Sequence, residues 1–147
     1  MIKYVFLGVM IGLVLVVGAW WQEGPWTETS MGVQIGETTY TLEVADDARE
    51  QALGLGERDS LCDRCGMVFF FATTEKHTFW MKGMRFPLDI AWLEDDTIVH
   101  IERHVSEKSE DIYRPETAAN AVLEFQAGTL ESVSVGEKVH FLFDSPR

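Results

Sequence analysis

From Met67 to Leu93 the chain reads MVFFFATTEKHTFWMKGMRFPLDIAWL. Three apolar runs stand in it, over residues 67–71, 78–81 and 90–93, each only four or five residues long. Runs that short suit strands, and their β-branched and aromatic side chains suit a pleated, partly buried surface. Just upstream, residues 38–44 alternate, with Tyr40, Leu42 and Val44 on one face and Thr39, Thr41 and Glu43 on the other, the pattern of a strand with one wet face. Asp46 and Asp47 can cap a short helix over 48–53, which Gly54 and Gly56 stop. Downstream, Glu94, Asp95 and Asp96 make a turn into a strand over 97–105, and residues 106–115 form a charged loop. The last strands are expected at 121–125 and 138–143, with turns at Gly128 and Gly136. The expected fold class is α+β and mostly β, a compact curled sheet or small barrel with one or two short helices.

The N-terminus has a different character. Residues 5–21 read VFLGVMIGLVLVVGAWW without a charge, preceded by Lys3 and followed by Gln22 and Glu23. A helix of that length rises roughly 26 Å, enough for a thin hydrocarbon layer. The expectation is one transmembrane helix, with the cytoplasm on the Lys3 side, the domain outside, and Trp20, Trp21 and Trp26 at the far interface. A cleaved signal peptide is the rival reading, although bulky tryptophans follow Gly18 and Ala19 directly. The expected organisation is a cytoplasmic end over 1–4, a membrane anchor over 5–21, a tether over 22–37 and a single globular domain over 38–147. The bilayer is then a partner through residues 5–21.

With 147 residues there is material for one core of ordinary size. The 46% hydrophobic content excludes a disordered chain. Lysine and arginine number 12 against 24 acidic residues, a net charge of −12, with no linear basic patch, so nucleic acid is excluded as a partner.

The segments 48–71 and 79–90, followed by Tyr113-Arg114-Pro115, the run VLEFQAG over 122–128 and Gly136-Glu137, resemble the family known as domain of unknown function 192. The resemblance runs from about residue 38 to the C-terminus and implies a small, largely β domain of unsettled activity, of a kind often exported or preceded by a membrane segment. The family's R-G-L-M-x-R element stands here as LGLGER over 53–58, its G-M-L-F element as GMVF over 66–69, and its F-W-M-K-N-T-x-x-P-L-D-I element as residues 79–90. Leu53 and Gly56 depart from the first element. Gly83 and Met84 replace the Asn-Thr pair of the third, so any role of that pair is lost here.

Several residues are candidates for chemistry. Trp80 and Lys82 share a face of an extended strand, and Asp89 lies across the turn; together they suit a planar or anionic ligand. The competing reading is an ordinary ion pair between Lys82 and Asp89 over an apolar core. Arg58 and Glu124 sit among apolar or turn residues, where they are further binding candidates or partners in a buried pair. His100 and His104 fall about 13 Å apart on a strand, too far for one metal ion. Cys62 and Cys65, in the run LCDRCG over 61–66, allow a local disulfide, a metal site completed by His77 and His104, or free or redox-active thiols. No sequence motif calls for a cofactor. No nucleophile elbow or phosphate loop is present. The functional expectation is a membrane-anchored extracytoplasmic module of the cell envelope that binds an unknown small molecule or envelope component, or is purely structural. The alternative is an envelope hydrolase or transferase with Asp89 or Glu124 as general base.

Overall fold

The structure, a computed structural model, describes residues 29–142. Nine strands and one helix occur among them in the order β1 (Ser30–Ile35), β2 (Thr38–Ala45), α1 (Ala48–Leu53), β3 (Cys65–Glu75), β4 (Phe79–Trp80), β5 (Leu88–Glu94), β6 (Thr97–Val105), β7 (Ile112–Tyr113), β8 (Ala119–Gln126) and β9 (Val139–Leu142). Seven form one sheet in the order β6-β5-β8-β3-β2-β1-β9, while β4 and β7 pair as a separate ribbon. All pairings in the large sheet are antiparallel except β2 with β3, and that parallel step is bridged by α1 and the loop after it.

The sheet curls until its two edge strands approach at one end. Thr97 of β6 faces Lys138, and three backbone hydrogen bonds join the same places, from Ile98 N to Glu137 O, Gly136 N to Ile98 O and Val139 N to Asp96 O, at 3.0, 2.8 and 2.7 Å. The result is a half-barrel. Side chains of the central strands alternate between two apolar layers. Leu42, Val68, Leu93, Leu123 and Phe125 fill the interior of the curl. Met67, Phe69, Ile90, Trp92 and Val122 point to the outer face, where Leu55, Phe79, Met81, Phe86 and Leu88 cover them. Strand β5 is therefore buried on both faces, which is why residues 90–93 carry an unbroken apolar run.

Strands β3 and β8 pack closely at Gly66. A Cβ there would lie 2.6 Å from the Glu124 carbonyl oxygen and 2.6 Å from the Phe125 ring, so only glycine fits.

Helix α1 forms where its caps are written. Asp47 accepts hydrogen bonds from the Arg49 and Glu50 amides, both 2.8 Å, and the Glu50 carboxylate reaches back to the Asp46 amide at 3.0 Å. Gly54 ends the helix at φ 53°. Asp47→Ala is expected to cost about 1 kcal/mol and lower the melting temperature by about 4 °C. A thermal melt checks this; a shift below measurement error would mean that packing alone holds the helix end.

Several expectations need correction. Residues 30–35, expected within a tether, form β1, an inner strand between β2 and β9, because Met31, Val33 and Ile35 alternate into the core. The short ribbon strand β7 lies within the expected charged loop.

The transmembrane helix is also withdrawn. Among the described residues no helix is long and apolar enough to cross a membrane. Six-residue α1 rises only about 9 Å against the roughly 30 Å of a hydrocarbon core. The segment 5–21 lies outside the described residues. The bilayer as partner, the single-pass topology with the domain outside, and the assignment to the cell envelope have no support among the described residues.

Candidate functional site

A carboxylate in the middle of the sheet organises the most developed site. Glu124 belongs to β8 and pairs across the ladder with Met67 of β3 and Ile90 of β5. Alternation sends its neighbours Leu123 and Phe125 into the interior of the curl and Glu124 to the outer face, beneath the end of α1. The residue is only 3% exposed. Its Oε2 accepts a hydrogen bond from the Leu55 amide at 3.3 Å. Gly54 makes that approach possible, since a Cβ at this position would stand 2.9 Å from Oε2. Burial pushes the Glu124 carboxyl up to about 7, an effect only partly countered by the Leu55 amide and by the positive charge of Arg58.

Next to Glu124 a pocket of about 280 Å³ opens between the end of α1 and the β4 segment. Glu124, Gln51 and Thr78 contribute its polar groups, and Phe71, His77, Phe79 and Trp80 its aromatic walls. The walls support one another. Phe71 and His77 stack with ring centres 3.7 Å apart and planes 12° from parallel, and Phe79 meets Phe69, Phe71 and Trp92 edge to face. Trp92 Nε1 donates to the His77 carbonyl at 2.9 Å and so fixes that turn. Trp80, 48% exposed, presents its ring at the pocket's rim. No lysine or arginine lines this space.

Trp80 and Glu124 thus share a pocket, although they are 44 positions apart in sequence and their sequence contexts suggest different roles. The other candidates lie elsewhere. Lys82 is exposed on the turn after β4, and no ion pair joins it to Asp89 among the described residues. Asp89 is fully buried. Its Oδ1 accepts from the His104 amide at 2.9 Å, and its Oδ2 from the Gly128 and Leu130 amides, both at 2.9 Å. It ties the irregular end of β6, where His104 takes φ 52°, to the turn after β8. A carboxylate so committed to backbone amides is poorly placed to act as a general base.

Arg58 pairs with Glu43 in a two-pronged contact at 2.6 and 2.7 Å, and its charge acts on Glu124 from there. Glu43 has no role that its sequence context announces. Its place on the half-wet face of β2 becomes meaningful only once the loop after α1 folds over it.

Cys62 and Cys65 are joined by a disulfide, with Cα atoms 5.3 Å apart. They do not gather with His77 and His104. His77 stacks on Phe71, and His104 contacts Glu131. Among the described residues only Asp46, Asp47 and Glu50 bring three ligand atoms within reach of one ion, and the Asp47 and Glu50 carboxylates already hold the start of α1.

The aromatic wall Phe71 and the helix-ending Gly54 carry no mark in the sequence as site residues, and His77, a candidate metal ligand there, is a pocket wall instead. The one available signal is Glu124 itself, a charge set in the apolar run VLEF over 122–125. It marks burial but does not say what faces the carboxylate.

Comparison with curated proteins finds no match. Two crystal structures are similar. One is a Sinorhizobium meliloti 1021 protein described as a "putative transcription regulator", with TM-score 0.75 and 28% identity over 80% of this chain and 98% of that one. The other is a protein of unknown function from Novosphingobium aromaticivorans DSM 12444, with TM-score 0.68 and 28% identity over 76% of this chain and 84% of that one. The sequence itself matches the family DUF192, described as an uncharacterized ACR, over residues 31–141. That span takes in the half-barrel except the first residue of β1 and the last of β9, and most of the chain, and the chain belongs to the DUF192 family.

Proposed function

We propose that the domain binds a small organic cation of the substituted-ammonium class in the pocket between α1 and β4. Glu124 supplies the opposing charge and Trp80 a flat wall. The observation that carries this reading is a nearly fully buried carboxylate among aromatic rings in a pocket lined by no lysine or arginine. An ammonium over an aromatic face gains about 0.5–2 kcal/mol, and more of that survives in a desolvated pocket. A neighbouring carboxylate adds a charge-charge attraction that water screens weakly at this depth.

The reading replaces the envelope-module expectation and its hydrolase alternative. General acid-base cleavage between two carboxylates lacks its second member, because no other Asp or Glu lines this pocket. Nor does the label of the S. meliloti protein carry nucleic-acid contact over to a chain with net charge −12.

The cation pairs only with ionised Glu124, whose carboxyl titrates at about 7. Affinity for benzyltrimethylammonium, whose charge does not titrate, is therefore expected to rise about tenfold from pH 6 to pH 8, following the ionised fraction. Calorimetric titration reads this directly. His77 is the other titratable side chain of the lining, and Arg58, paired with Glu43, acts on Glu124 from outside it. In Glu124→Gln the pH step should vanish with most of the affinity, while in His77→Gln it should persist. Trp80→Ala is expected to weaken binding about tenfold. An affinity indifferent to pH in the wild type, or a step that survives in Glu124→Gln, would refute the proposal.

A further inference from the structure

A second cleft, of about 460 Å³, lies at another part of the sheet, between the start of β2, the turn after β8 and the loop that leads into β3. One wall is the Cys62–Cys65 disulfide itself, and the facing wall is the turn from Gln126 to Thr129. The two sulfurs stand in unlike places. Cys65 is the first residue of β3, half-buried and in register with Thr41 of β2, whose amide donates to the Arg64 carbonyl at 2.9 Å. Cys62 is exposed on the preceding turn, where its carbonyl accepts from the Cys65 amide at 3.3 Å. Arg64 closes that turn at φ 56°, a left-handed conformation uncommon for a long side chain. The facing wall is held firmly, since Asp89 binds the Gly128 amide. The only charged side chains of the lining are Asp63 and Arg64, which are both exposed and stand 3.9 Å apart.

We propose that this cleft is a thiol–disulfide exchange site for a small thiol that carries a carboxylate. The incoming thiolate attacks Cys62 Sγ, the accessible sulfur. The Cys62–Cys65 bond breaks, and Cys65 leaves as a thiolate that takes a proton from water. A second small thiolate then attacks the sulfur of the first, releasing the oxidised small disulfide and leaving Cys62 as a thiol. Two electrons pass from two small thiols to the protein, and the reverse sequence restores the disulfide. Arg64 offers the counter-charge for the carboxylate, against the opposing charge of Asp63. Opening the bond frees a loop of four residues and leaves the β2–β3 ladder and both apolar layers in place, so exchange needs no unfolding. The site is separate from the Glu124 pocket and stands whether or not that pocket binds a cation.

The test uses the full chain in native buffer, with reduced glutathione and cysteamine compared at equal thiolate concentration. Samples are acid-quenched, alkylated and weighed by mass spectrometry. Wild-type protein is expected to open fully without denaturant, with glutathione about fivefold faster than cysteamine because only glutathione carries carboxylates to Arg64. Arg64→Gln should bring the ratio close to one. Cys65→Ser, offered oxidised glutathione, should accumulate one mixed disulfide at Cys62. Opening that requires denaturant, a wild-type ratio at or below one, or a ratio unchanged in Arg64→Gln would each overturn the proposal, and the wild-type measurements decide it even if the serine variant fails to fold.

Discussion

Glu124→Gln is expected to raise the melting temperature by about 10 °C at pH 8 and to change it little at pH 5. The cause is a buried acid whose proton is hard to remove. Burial raises the Glu124 carboxyl from 4.5 to about 7 in the folded chain, while the unfolded chain keeps the ordinary value. Between those limits the folded protein holds a proton that the unfolded chain has released. Stability therefore falls as pH climbs through that window. The cost is fully felt above about pH 7 and absent below about 4.5. A shift of that size corresponds to about 3 kcal/mol. Glutamine keeps the shape and never ionises, so it escapes the cost. Other carboxylates titrate as well, and for that reason the quantity to follow is the difference between wild type and variant across pH, read by thermal melts. An equal difference at pH 5 and pH 8 would show that Glu124 is not held neutral by burial. The same substitution removes the cation affinity proposed for the pocket, the familiar opposition between a binding group and the stability of the fold that holds it.

Asp89→Ala is expected to act in the opposite direction and to be the more damaging change. Three amides would lose their acceptor at once, that of buried Leu130 and the partly buried ones of His104 and Gly128. An orphaned buried donor costs about 1–3 kcal/mol, and because the three share one acceptor the losses do not add fully; about 4 kcal/mol is the expected total. Asp89→Asn should recover only part of it, because the amide keeps one accepting oxygen and turns an NH₂ towards the other donors. Chemical denaturation measures both variants. In the folded fraction of either, affinity for benzyltrimethylammonium should stay near the wild-type value, since Asp89 does not line that pocket. A loss of binding without a loss of stability would move Asp89 from support of the fold to the ligand site.

Much of the fold is legible in the sequence because its signals are local. Residues 38–44 alternate strictly, and the structure makes them β2 with Tyr40 and Leu42 buried. Asp47 and Gly54 bound α1 at the expected positions, since capping depends on a few neighbouring amides. The run at 97–105 is β6 with the same limits. The failures follow from the same logic. Strand β1 lies in a polar, glycine-rich stretch that masks the alternation of Met31, Val33 and Ile35, and it is held by ladders to β2 and β9 at either side. Two-residue β7 exists only because β4 lies opposite.

The site divides in the same way. That Glu124 sits where an unpaired charge would be costly is written in the run VLEF over 122–125, whereas Asp89, expected across the turn from Lys82, is fully buried instead. Their different environments cannot be read there. Asp89 meets three amides drawn from β6 and from the turn after β8, whereas Glu124 meets one amide and the wall of a pocket. Hydrogen-bond partners 15 to 69 positions away decide that difference, and the curl of the sheet sets where they stand. Sequence by itself determined a mostly β domain, the caps of its helix, its charge and its family resemblance, since periodicity, capping and composition act over a few residues. Tertiary structure alone decided that Trp80 and Glu124 share a pocket, that Arg58 turns to Glu43, and that Cys62 faces a cleft. Each of these depends on distant strands brought side by side, and distance along the chain carries no record of it.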